Sequence, residues 1–291
     1  MLKQPLSRHI RFASLALIAG AGLTAGAAQA QDKGNVHLAY VEWSSEVAST
    51  NVVRAVLEQA GYEVEMTSLS AAAMWQSLAT GDADAIVAAW LPTTHADYLE
   101  RVGDDVEDLG VNLDGTKLGL VVPAYTDVDS IAELNDNAET FNNEIIGIDP
   151  GAGLMGLTEE VVETYDLDLN LRSGSGATMT ASLANAIQNE EDVVVTGWTP
   201  HWKFARWDLK YLEDPENVYG GAEQIHTVVR QGLEEDMPEA YAILDAFEWT
   251  PEQMGEVMLM NQEDDADPYE NAKQWVEDNQ DVVEEWLSAA E

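Results

Sequence analysis

The chain has 291 residues, 13 of them basic and 54 acidic, for a formal net charge of −41, and it contains no cysteine. That charge repels a phosphate backbone and excludes a nucleic-acid partner, while the lack of thiols excludes disulfides, thiolate metal sites and a cysteine nucleophile. With 46% hydrophobic residues in periodic segments, the chain can bury the core of one large or two modest domains and does not read as disordered.

Lys3, Arg8 and Arg11 precede an apolar run from Phe12 to Leu23, which leads to Ala28-Gln29-Ala30. The pattern reads as a secretory signal peptide over residues 1–30 with an A-x-A cleavage site. Residue 31 is Gln, so no lipid anchor is expected, and no later segment is long and apolar enough to span a bilayer. The expected location is therefore the periplasm, in solution. Three of the thirteen basic residues fall in the first 30, which leaves 10 against 54, a net −44. Runs such as Glu159-Glu160 and Glu284-Glu285 put that charge on helix surfaces. It reads as an adaptation to high ionic strength, where salt screens self-repulsion.

From Val36 the pattern is strand, helix, strand, helix, strand. The first strand ends near Glu42, and a helix from about Ser45 to Ala60 stops at Gly61. Glu63 to Leu69 is the second strand, Ala71 to Thr80 a short helix closed by Gly81, and Ala83 to Trp90 the third strand. An acidic loop around Asp104 to Asp108 leads to a buried-type strand, Lys117 to Pro123, and Ser130-x-x-Glu133 is a capping box. The opening pattern then repeats. Ile145 to Ile148 is a strand, Asp149-Pro150-Gly151-Ala152-Gly153 a tight turn, and Leu154 to Tyr165 a helix. A strand around Leu169 to Leu171, a helix from Met179 to Gln188 and the strand Val193 to Trp198 complete the unit. Two α/β units of matching order and length argue for two lobes, each with a parallel sheet under helices. His226 to Arg230 is a late strand, and the remainder is helical, with Pro238, Pro251 and Pro268 at first helical positions. These helices are expected to return to the first lobe, so the chain crosses between lobes near Pro123–Asp129 and again near Gly220–Val228. Trp249, Trp275 and Trp286 lie at helical spacing and read as packing, as do Trp202 and Trp207.

Three tryptophans stand at strand ends: Trp43, Trp90 before Pro92, and Trp198 before Pro200. Open α/β sheets bind ligands there. Core packing is the competing reading for all three. An aromatic box suits a quaternary ammonium, which has no N–H to donate and binds the negative faces of rings. The turn at 149–153 opens a helix whose first amides, those of Gly153 and Leu154, suit a carboxylate, although a simple tight connection has the same pattern. His95, five residues past Trp90, is a further donor, with a structural role as its alternative. A cation box beside an anion nest describes a small zwitterion. No nucleophile elbow, H-E-x-x-H, P-loop or dinucleotide fingerprint is present, so an enzyme, a cofactor and a metal are not expected.

The motifs Tyr40-Val41-Glu42-Trp43, Ala88-Ala89-Trp90-Leu91-Pro92-Thr93-Thr94-His95, Gly147-Ile148-Asp149-Pro150-Gly151-Ala152-Gly153-Leu154-Met155 and Gly197-Trp198-Thr199-Pro200-His201-Trp202 carry a resemblance. The sequence resembles the periplasmic glycine betaine-binding proteins of ABC importers, the OpuAC-type substrate-binding family, over essentially the whole mature chain. The resemblance implies a type II two-lobed periplasmic-binding-protein fold with ligand in the cleft and two hinge crossings. Lobe 1 would comprise residues 31–122 and 224–291, and lobe 2 residues 123–223. It implies that Trp43, Trp90 and Trp198 surround the trimethylammonium group, and that His95 with the amides of Gly153 and Leu154 holds the carboxylate. The expected ligand is glycine betaine, with proline betaine, delivered by a monomer to a membrane permease and its ATPase for osmoprotection. Choline, carnitine or ectoine is the alternative within the class. An exported enzyme acting on methylated amines is the alternative outside it.

Overall fold

In the computed structural model, which describes residues 33–290, the chain folds as two α/β lobes sharing one continuous run of hydrogen-bonded strands. The expected signal peptide lies outside the described residues. Strand β1 (Asn35–Tyr40), helix α1 (Ser44–Gln59), β2 (Glu63–Ser68), α2 (Ala71–Thr80), β3 (Ala85–Leu91) and α3 (Ala96–Val102) come first. α1 is amphipathic, with Val52, Val53, Val56 and Leu57 buried. α2 ends at Gly81, whose φ of 74° is a left-handed cap that suits glycine. β1 pairs in parallel with β2 and β3, and β3 is buried along its whole length, as befits a strand covered on both faces.

β4 (Val106–Pro123) is the pivot of the architecture. Its first part, Val106–Thr116, pairs antiparallel with β9 (Glu223–Arg230), which in turn pairs antiparallel with β3. Its last part pairs with the second lobe's strands. These are β5 (Glu144–Ile146), β6 (Asn170–Arg172), β7 (Val195–Thr199) and β8 (Leu209–Tyr211), interleaved with α4 (Gly153–Thr164), α5 (Gly176–Gln188) and α6 (Lys203–Arg206). Lys117 lies opposite Thr199 and Leu118 opposite Trp198, while β8 pairs with Val121–Pro123. The full order is β2-β1-β3-β9-β4-β7-β5-β6, with β8 on β4.

Two sequence expectations change here. Asp108 is not in a loop: a 3-10 turn covers Gly103–Asp105, and β4 begins at Val106 and runs for 18 residues. Its glycines and acidic residues read as loop, and pairing with β9 overrides that local signal. Consequently β4 changes partners between Thr116 and Lys117. Pro123 is the last residue of β4 and pairs with Leu209 of β8. The return passage occupies the chain between β8 and β9. Each lobe's sheet is also mixed, because β4 and β9 run antiparallel to their neighbours.

The capping box at Ser130 forms on a 3-10 turn. After β9 the chain is helical: α7 (Leu233–Asp236), α8 (Pro238–Ala246), α9 (Pro251–Met260), α10 (Pro268–Asp278) and α11 (Gln280–Ser288). Thr250 and Asp267 cap α9 and α10, and both helices pack on α1 of the first lobe. No helix among the described residues is long and apolar enough to cross a membrane.

Candidate functional site

Each site residue stands where a strand or helix ends. Trp43 is the N-cap residue of α1. Trp90 is the penultimate residue of β3, His95 the N-cap of α3, and Trp198 lies near the end of β7. Gly153 and Leu154 open α4, and Ala152 before them supplies no side-chain cap. Their two amides therefore lie in the first turn, where N–H groups have no intrahelical acceptor.

All six come together around one pocket of about 320 Å³ of atom-free space, which Ser45, Thr94, Leu118, Ile148 and Ala152 complete. No carboxylate, lysine or arginine side chain lines it. Fixed charge is absent from its wall, so a cation there would meet ring faces and an anion would meet donors.

His95 is wholly buried. Its Nδ1 accepts the Trp90 amide at 3.1 Å. In a neutral imidazole the other nitrogen then carries the proton, and Nε2 has no partner in the structure. Burial pulls the imidazole pKa down to about 3, so the ring stays neutral across the physiological range. The result is an orphaned, desolvated N–H donor in the pocket wall. Such a group costs about 1–3 kcal/mol while unpaired. The ring is held in place edge-on against Trp75 and Tyr98, at centroid distances of 5.9 Å in both cases.

Hydrogen bonds cross the cleft at the pocket's rim. Trp43 Nε1 donates to Asp149 Oδ2 at 2.9 Å, and Trp198 Nε1 donates to Ser45 Oγ at 3.3 Å. Tyr98 Oη donates to the Gly151 carbonyl at 2.6 Å. A Cβ on Gly153 would overlap the Thr94 carbonyl oxygen of the facing loop. Only glycine lets the α4 N-terminus come this close to the first lobe.

Sequence reasoning missed Ser45, Asp149 and Leu118 as site-forming residues. Ser45 lies two residues past Trp43 and Asp149 sits in the motif already quoted, so proximity was an available signal. Leu118 enters as the ladder partner of Trp198, which only the strand pairing reveals. Among the described residues no group of three or more His, Asp or Glu side chains could hold a metal ion.

A family model described as the substrate binding domain of the ABC-type glycine betaine transport system matches residues 34–278. The chain is similar to the glycine betaine/carnitine transport binding protein GbuC of Listeria monocytogenes, at 50% identity over 54% of this chain. That alignment spans about half of the curated relative, 53% of its length. Among solved structures, lactococcal OpuAC in its closed form complexed with glycine betaine is 44% identical with a TM-score of 0.83, covering 87% of this chain and 99% of that one. A glycine betaine, L-proline-binding protein (ProX) from Borrelia burgdorferi is 38% identical with a TM-score of 0.84, covering 88% and 100%. An ABC-transporter choline binding protein in complex with choline is 29% identical with a TM-score of 0.81, covering 87% and 91%. These matched proteins bind solutes for transporters and are not enzymes. With the family model matching most of its length, the chain belongs to the family of substrate-binding domains of ABC-type glycine betaine transport systems.

Proposed function

We propose that this protein captures glycine betaine, and with it proline betaine, and presents it to an ABC permease and its ATPase. The observation that carries the reading is the makeup of the pocket wall. Three tryptophans share it with an unpaired His95 Nε2–H and the first-turn amides of Gly153 and Leu154. Trp43, Trp90 and Trp198 form the cation cage, where each good contact contributes about 0.5–2 kcal/mol. The donors take the carboxylate. The lobes, divided where β4 changes partners, close on the ligand because a ligand touching both favours the closed form. Export through the signal at residues 1–30, action as a monomer and uptake of a compatible solute under osmotic stress complete the proposal. The acidic surface fits a salty habitat.

One relative is named for carnitine beside glycine betaine, and one solved relative holds choline. Choline has a hydroxyl in place of the carboxylate, so it would leave charge-seeking donors unpaired. The deciding experiment is calorimetry against glycine betaine, proline betaine, carnitine, choline and ectoine. Tight binding of the betaines with choline weaker by orders of magnitude supports the reading. Choline binding as tightly as glycine betaine overturns it.

A further inference from the structure

Glu223, the first residue of β9, is 2% exposed, and its carboxylate is spent entirely on one loop. Oε1 accepts the amides of Thr93 at 2.6 Å and Thr94 at 2.7 Å, and Oε2 accepts the Thr94 hydroxyl. In the sheet Glu223 lies opposite Thr116, the last residue of β4 paired in the first sheet. One buried carboxylate thus joins the return passage from the second lobe to the turn between Trp90 and His95.

That turn carries two features of the pocket. His95 follows Thr94 directly, and the Thr94 carbonyl fills the space against which Gly153 rests. Trp90 is held in addition by β3, opposite Ile225 of β9, although its amide and carbonyl also bond His95. Loosening the turn would displace His95 and the Thr94 carbonyl that faces Gly153 more than Trp90, which keeps its strand pairing.

We propose that Glu223 is a positioning residue that sets the anion-recognising half of the pocket. The inference rests on the betaine reading above. Its test uses three substitutions. Glu223→Ala removes the acceptor, and Glu223→Asp is one methylene too short to reach the amides. Glu223→Gln keeps the geometry: its carbonyl oxygen can accept both amides while its NH2 donates to the Thr94 hydroxyl.

Calorimetry with glycine betaine and choline is paired with amide hydrogen exchange on the ligand-free protein. Glu223→Ala and Glu223→Asp are expected to weaken glycine betaine by about tenfold or more, the scale of one charge-assisted hydrogen bond, with choline much less affected. Exchange at the Thr93 and Thr94 amides should accelerate in the same two variants, and Glu223→Gln should restore both properties. Equal losses for the two ligands, a glutamine variant no better than alanine, or unchanged exchange in Glu223→Ala would each overturn the proposal. If the unmodified protein binds no betaine, the reading of the function fails, while amide exchange still decides the role of Glu223.

Discussion

Two tryptophan trios in this molecule look alike by burial and differ in what their rings meet. Trp43, Trp90 and Trp198 are 7%, 4% and 5% exposed, and Trp249, Trp275 and Trp286 are each 3% exposed. In the C-terminal helices the rings meet one another. Trp249 stands edge-on to Trp275 at 5.9 Å, Trp275 stacks with Trp286 at 6.3 Å, and Phe247 packs on Trp286 at 5.0 Å. Around the cleft the rings share the wall of a void, and two of their indole N–H groups bond across to the other lobe. The first arrangement contributes to folding. The second borders open space, although Trp198 also meets His201 at 4.5 Å and Lys203 Nζ at 4.7 Å; in the proposed function that space takes the cation. Burial alone does not separate the two trios; what their rings border does.

Paired truncation puts this distinction at greatest risk. Trp275→Ala should cost about 3–5 kcal/mol of stability and leave the glycine betaine Kd of the folded protein unchanged. Trp90→Ala should weaken binding by about thirtyfold, equivalent to losing about 2 kcal/mol of cation–ring contact. Trp90→Phe should fall between. Urea melts and calorimetry on both variants check it, and a Trp90→Ala protein with ordinary affinity would erase the distinction.

A buried acid lies close in sequence to the first of the pocket's tryptophans. Glu46, in the first turn of α1 after Trp43, accepts the Val41 amide at 2.7 Å through one oxygen, and its other oxygen has no partner. Burial pushes its carboxyl pKa up to about 8. Between the ordinary carboxylate range and that value the folded protein holds a proton that the unfolded chain has released. Its contribution to stability is therefore present in acid and is lost as pH rises toward 8. Glu46→Gln should match the parent near pH 4 and exceed it by on the order of a few kcal/mol at pH 8, read from urea melts at both pH values. A constant difference would place the proton elsewhere.

His95→Ala tests the division of labour inside the pocket. Glycine betaine should weaken by about 1.5–3 kcal/mol, one charge-assisted hydrogen bond, while choline changes little; calorimetry with both ligands isolates the coupling. Because the folded imidazole takes up its proton only near pH 3, the unfolded state binds more protons below its ordinary pKa. This group therefore lowers stability as pH falls from about 6.5 toward 3. Equal losses for both ligands would make His95 a shaping residue only.

A weaker response is expected from the acidic surface that both regions share. Raising salt from low to molar concentration should raise the melting temperature by a few degrees through screening. Chloride and sulfate at matched ionic strength separate screening from strengthened apolar burial. A melting temperature indifferent to both would assign the acidity another purpose.

That six residues share one pocket could be read from the sequence because most sit beside local punctuation: Pro92 after Trp90, Pro200 after Trp198, and a glycine turn before Leu154. Proline and glycine act through their own backbone, so their signal needs no partner. The amphipathic faces of α1 and α4 were legible for the same reason, since helical periodicity is written into neighbouring residues. The extent of β4 was not, because the segment Val106–Thr116 is a strand only through its bonds to β9, more than a hundred residues on. Nor was the role of Glu223, which meets Thr93 and Thr94 from 130 and 129 positions away, or that of Asp149 toward Trp43, 106 positions apart. Local sequence determined which residues turn, cap and face inward. Tertiary structure alone decided which of them meet, because strand pairing and buried hydrogen bonds depend on where distant segments arrive, and no window of neighbours records that.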